Sequence, residues 1–307
     1  MRRQDATIAL LIFAALAAAP FLGFGQGYSL TMLARGMIFG MAAIALSLLV
    51  GGGGLVSLGH AAMMGVGAYA VVVLDHGRVT EAWVVVPTAI AAAALFALLT
   101  GAIAIRTSGV HFIMITLAFG QMAFFTTSSF AIYGGDDGYT LYNRLEVFGS
   151  RALEGGLVFH FTCLGLLIGV WALVQALLNS RFGRVLQAAR DNETRARAVG
   201  FEPYAYRLTA YIIAGAIGGL AGVLLANAAE FVAPAYLAWQ RSGDLLFMVI
   251  LGGLAGPHGA LMGALAFVFL EEWLAKLTEH WRLIFGPLLI FCVFFMRGGI
   301  AGLLRRA

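Results

Sequence analysis

The sequence predicts an all-α polytopic membrane protein of about ten transmembrane helices, on three observations. Of its 307 residues, 61% are hydrophobic and only 11% charged, with a mean hydropathy of +0.92. Soluble domains carry roughly 25% charge, because charged side chains cover a globule. Apolar windows of about 20 residues recur along the chain, and its arginines cluster in particular connections rather than on one face. That distribution, despite a net charge of +4, argues against nucleic-acid binding.

The windows fall near residues 6–24, 30–50, 55–74, 82–105, 109–130, 158–178, 205–229, 243–256, 258–275 and 283–297. The first is long for the apolar core of a signal peptide and has no clear cleavage site, so it reads as a span. The eighth is short, as a broken or re-entrant helix would be. Residues 1–307 read as one transmembrane domain.

Ser180 to Arg207 is the longest polar interruption, with six arginines against three acids. Basic connections are retained on the cytoplasmic side, which makes this a cytoplasmic loop. Both termini and Arg106 fall on the same side, about 12 of the 19 basic residues in all. Within the loop, Asp191 or Asn192 can N-cap a short helix, Glu193 suits its positive first turn, and Gly200 can end it before Pro203. Such an element is either a docking feature or a basic loop held near lipid headgroups.

The longest external loop, 131–156, contains three glycines between Tyr133 and Tyr139 together with Asp136 and Asp137. Two carboxylates without further oxygen ligands read as solvated turn residues rather than a metal site. Gly36/Gly40, Gly165/Gly169, Gly215/Gly219, Gly218/Gly222 and Gly259/Gly263 have the spacing that lets helices approach closely. Cys163 and Cys292 stand singly in apolar runs and form neither a disulfide framework nor a metal site.

Two glycine-rich stretches correspond, Gly51–Gly65 and Gly252–Gly263. Each has a glycine cluster and a histidine, His60 or His258, with Met-Gly ending five residues later. Glycine-interrupted segments in matching halves point to a transport pathway, so spans two to five and seven to ten are expected to be related halves with broken helices.

Chemistry within the chain is sparse. The only lysine, Lys276, is followed by Leu277 and preceded by no glycine-rich loop, which excludes a P-loop; any ATP energy must come from another subunit. Ser57 and His60 are close in sequence, but Leu55 stands where GxSxG needs glycine and no orienting acid is evident, which argues against hydrolysis. Among ionisable groups, Arg35, Asp244, Glu271 and Glu272 lie near predicted helix ends, where snorkelling accounts for them, and His111 lies near Arg106. His60 lies deeper, with helix-end hydrogen bonding and proton transfer both open. Thr116, Gln121 and Asn227 can contact a polar solute or hold helices together.

Several motifs in order resemble a known family. They are GLVSLGHAAMMGVGAY (Gly54–Tyr69), ITLAFGQM (Ile115–Met122), YGGDDG (Tyr133–Gly138), Ser180–Gly200, MVILGGLAGPHGALMGA (Met248–Ala264) and RLIFGPLLIFCVFFMRGGIAGLL at the C-terminal end. On these the chain resembles the permease subunits of branched-chain amino acid ABC importers, the LivM-like component. The resemblance implies a heterodimer with a homologous permease, two cytoplasmic ATPases and a periplasmic solute-binding protein, in the bacterial inner (plasma) membrane. It implies no cofactor on this chain, with ATP and Mg held by the ATPases. The cytoplasmic loop would supply the coupling helix, with Arg190, Asn192, Glu193, Arg195, Arg197 and Gly200 as ATPase-coupling residues. Ser57, His60, Thr116 and Gln121 are the translocation-pathway candidates. Leu55, Ala61, His111 and Gln121 replace the family's usual glutamine, glycine, aromatic and glutamate. Urea or amides, aromatic acids and sugars therefore remain alternative solutes, and a stand-alone gradient-driven carrier the alternative class.

Overall fold

A computed structural model describes residues 3–22, 27–254, 256–277, 280, 283–287, 290 and 298–304. The fold is all-α apart from one two-residue strand pair. Helix α1 spans Arg3–Ala18, α2 Gly27–Ser47, α3 His60–His76, α4 Ala82–Ala104, α5 Val110–Ser129 and α6 Gly156–Asn179. Two short helices follow, α7 Arg181–Asp191 and α8 Glu193–Ala198, then α9 Pro203–Ala229, α10 Trp239–Gly252, α11 Pro257–Leu277 and α12 Gly299–Leu304.

Helices α2 and α9 form the centre. Almost every residue of α2 from Leu33 to Leu49 is buried, and α9 is buried from Ala210 to Asn227 except on one edge. A helix apolar all round belongs in such an interior. By contrast, α4 buries a narrow stripe at Val85, Ala89, Ala93, Ala97 and Thr100, and α5 only Phe112, Thr116 and Gly120. Their other faces are large and apolar, as expected of helices that meet lipid.

Backbone approach explains the glycines. A Cβ on Gly222 of α9 would lie 1.9 Å from the Met64 carbonyl oxygen of α3, and one on Gly67 would lie 2.3 Å from the Gly219 oxygen. Gly263 of α11 has the same relation to Met248 of α10, at 1.9 Å. Gly36 and Gly40 receive Leu265 and Leu261. The Gly165/Gly169 pair departs from expectation: both residues are exposed on α6 and face nothing.

Among the described residues, five helices are long and apolar enough to cross a membrane, with α2 counted through Gly53, and a sixth span is reached if Pro234–Gly252 and Pro257–Leu277 are one bent unit. The expected count of about ten exceeds this for physical reasons. The apolar part of α1 is short, and α3 begins at His60, five residues later than the 55–74 window. At 1.5 Å per residue its 17 residues reach about 26 Å, short of a hydrocarbon core of roughly 30 Å. The 283–297 window lies largely outside the described residues, as do Cys292, Arg297, Arg305 and Arg306. The short eighth window is a helix whose axis bends by 116° into the next.

The 131–156 loop folds over the ends of α3 and α9. Tyr139–Thr140 (β1) pairs antiparallel with Phe231–Val232 (β2), and the Tyr139 hydroxyl donates to Asp75 Oδ2 at 3.0 Å. Burial and the Asp75 carboxylate hold that phenol above its ordinary pKa. Asp136 and Asp137 are exposed in a single 3₁₀ turn, and no group of metal-ligating residues occurs among the described residues.

Candidate coupling and translocation sites

Two polar features stand out at one end of the bundle: the α7–α8 elbow and the interruption between α2 and α3. The elbow is built by local rules. Ser180 caps α7, its hydroxyl accepting from Gly183 N–H at 3.4 Å, and Asn192 Oδ1 caps α8 by accepting from Arg195 N–H at 2.9 Å. Asn192, rather than Asp191, is the cap. At the other end, Gly200 takes φ 91°, its N–H returning to the Arg197 carbonyl at 2.9 Å and Phe201 N–H to Ala196 at 3.1 Å. That pair of bonds is a Schellman stop, which favours glycine because the left-handed backbone crowds a Cβ.

Glu193 secures the elbow. Its Oε1 accepts from Arg197 at 2.7 Å, and its Oε2 from Arg207 of α9, also at 2.7 Å. Arg207 donates in addition to the Ala189 carbonyl of α7 at 3.2 Å, so the Glu193–Arg207 pair joins three helices. Arg190 points toward the membrane-embedded part of the chain. Its guanidinium bonds Asp191 Oδ1 at 2.8 and 3.0 Å and donates to the Gly51 carbonyl. Arg195 has no ion-pair partner among the described residues and is exposed, as is Val199 at 71%.

Gly51 belongs to a π-helical turn, Leu48–Gly53, that ends α2. Such wider turns mark functional positions within helices. Gly54 follows with φ 67°, and a Cβ there would lie 2.6 Å from the Arg190 side chain. Residues 55–59 then run without regular structure to α3. Exposed backbone groups in a bilayer must find partners within the protein, and hydroxyls supply them. Ser57 Oγ accepts from Gly59 N–H at 3.2 Å, Thr116 Oγ1 of α5 from Leu58 N–H at 3.2 Å, and Ser242 Oγ of α10 from Ala61 N–H at 3.0 Å. Gly59 makes the crossing with α5 possible, since a Cβ on it would lie 2.6 Å from the Thr116 carbonyl oxygen.

Ser57, His60 and Thr116 thus come together at this break, at 0%, 0% and 1% exposure. The His60 ring lies toward the Ala42 carbonyl without reaching hydrogen-bond geometry. Gln121 sits one turn beyond, half-buried and without a hydrogen-bond partner among the described residues. Asn227 is elsewhere: it accepts from Leu145 N–H at 2.9 Å and donates to Val223, fixing the 131–156 loop to α9. Ser242 was not singled out from sequence, since nothing in WQRSGD marks one hydroxyl as the partner of a backbone group 181 residues away.

At the ends of α2 and α11 ionisable residues pair with one another. Arg35 Nη2 meets Glu271 Oε2 at 3.3 Å across α2 and α11, and the Glu271 side chain is 14% exposed. Tyr28 donates to Glu272, which also lies 3.7 Å from Lys276.

An apolar helical bundle with glycine-mediated packing, a hydroxyl-capped break inside it and a polar helical elbow tied to that break defines a membrane permease. The chain belongs to the family described as the branched-chain amino acid transport system permease component, whose model matches residues 28–293. It is similar to the high-affinity branched-chain amino acid transport system permease protein LivM of Escherichia coli K12, with 28% identity over 292 residues covering 88% of this chain and 69% of that protein. In Methanocaldococcus jannaschii, the probable branched-chain amino acid transport permease proteins LivM and LivH are 33% and 34% identical over 117 and 115 residues. These matches cover 38% and 35% of this chain, and 34% and 33% of those proteins. No solved structure matches the chain.

Proposed function

We propose that this chain is the permease subunit of an ABC importer in a bacterial inner membrane, passing branched-chain or related amino acids delivered by a periplasmic binding protein. Family membership and the names of the LivM relatives support the solute class. A second, homologous permease completes the pathway; that one organism holds both a LivM and a LivH similar to this chain supports a heterodimer. Two cytoplasmic ATPases carry ATP and Mg.

The observation that carries the reading is the α7–α8 elbow: capped at both ends, presenting Arg195, exposed and without an ion-pair partner among the described residues, and exposed Val199, and bonded through Arg190 to the break in α2. ATPase closure pushes α8, with Arg195 and Arg197 at the contact and Asn192, Glu193 and Gly200 preserving its shape. Arg190 passes the displacement to the Gly51 carbonyl. The segment beyond it is held by single hydroxyls, so Ser57 and His60 move against Thr116 and Gln121 of α5 and against Ser242 of α10. A remote ligand shifts a permease between states only through such differential contacts.

In this reading residues 1–307 form one domain, crossing the membrane about ten times with both termini cytoplasmic. The halves are related: the breaks before α3 and α11 each follow a glycine of positive φ, Gly54 at 67° and Gly253 at 98°. Proteoliposomes containing both permeases, with and without the ATPases, test the proposal. Solute uptake is expected only with ATPases and ATP; accumulation by this chain alone under a proton or sodium gradient would overturn it.

A further inference from the structure

At the end of the bundle opposite the elbow lies a cavity of about 250 Å³, enough for roughly eight waters. Its lining combines Arg35, Arg241, Thr31 and Tyr236 with an apolar surface that includes Phe39 and Met64. Arg35 lies eight residues into α2, about 12 Å along its axis. Charges at such depth are costly and mark functional positions.

Each guanidinium is only partly engaged. Arg35 reaches Glu271 through one nitrogen at 3.3 Å, and Arg241 reaches Asp244 through one nitrogen at 3.4 Å. Both distances exceed the 2.7–2.9 Å of a strong charge-assisted bond, and each fork has five N–H donors. Most of these donors have no hydrogen-bond partner among the described residues and lie beside open space. Two planar forks from different helices, set over apolar side chains, match an oxyanion attached to a small hydrocarbon group.

We propose that this cavity binds a carboxylate or phosphate oxyanion with a small aliphatic portion, the oxyanion held by Arg35 and Arg241 and the aliphatic part lying on Phe39 and Met64. The permease reading gives the site its setting, a solute contact made before the break is reached, but the binding itself depends only on this chain. The same chemistry is offered by a free solute and by an anionic lipid headgroup.

The test uses the purified full chain in phosphatidylcholine nanodiscs, titrated calorimetrically with isovalerate and with isovaleramide, its uncharged counterpart. Saturable binding of isovalerate, with the amide at least tenfold weaker, is expected in the wild-type protein. Arg241→Gln, and Arg35→Gln combined with Glu271→Gln to avoid an orphaned carboxylate, should each weaken isovalerate at least tenfold. Repeating the titration with phosphatidylglycerol in the nanodiscs identifies the source. Competition that disappears in the variants assigns a lipid occupant, and unchanged affinity assigns the solute; either supports the oxyanion site. Equal binding of acid and amide, absence of saturable binding, or full binding by folded Arg241→Gln overturns it. Lost binding with intact ATP-driven uptake would remove the site and leave the permease assignment standing.

Discussion

At the scale of the residue, Arg195 and Arg197 separate cleanly although both are basic residues of one short helix. Arg197 is committed to Glu193 at 2.7 Å, whereas Arg195 is exposed and has no ion-pair partner among the described residues. Arg195→Glu should abolish ATP-driven uptake and co-purification of the ATPase with no change in membrane insertion. Arg197→Glu should in addition loosen α8, read as faster amide exchange over residues 193–201. Unchanged uptake in Arg195→Glu would place the contact elsewhere. Asn192→Ala removes the cap on a helix of six residues and should cost about 1 kcal/mol, seen as increased exchange at the same amides. Ser242→Ala leaves the buried Ala61 N–H without its acceptor, a penalty of about 1–3 kcal/mol, and should lower the melting temperature of the purified chain. Ser242→Thr, which keeps a hydroxyl, is the control.

Among elements, the helices divide by whether their glycines have a neighbour. Gly222 and Gly67 bring α9 and α3 into backbone contact, so Gly222→Val must separate the two helices or fail to fold. A large loss of monodisperse protein in size-exclusion chromatography is the expected outcome. Gly165→Ala on α6 meets nothing within 4 Å and should leave the elution profile unchanged. The two positions share the same small-residue spacing, which reports only that close approach is permitted. Likewise, the capped helix after Asn192 was legible because caps act within a few residues. The attachment of that helix to α2 through Arg190 and Gly51 was not, because the partners are 139 residues apart.

For the whole molecule, the apolar windows correspond closely to α1–α6 and α9–α11, yet windows do not count crossings. The 55–74 window includes residues that leave the helix, and the eighth and ninth form a pair bent by 116°. Arg35 and Glu271, read from sequence only as residues near helix ends, form an ion pair between α2 and α11 beside a cavity. By itself the sequence determined that the protein is an all-α membrane protein without a P-loop, and its ordered motifs carried the resemblance to a permease family, because composition, hydrophobic runs, motifs and local capping are properties of residues near one another in the chain. Tertiary structure decided which hydroxyls cap the break, that Arg190 reaches into it, and that Arg35 and Arg241 share one cavity. Those depend on distances between helices far apart in sequence, set by how closely the glycines let the helices approach.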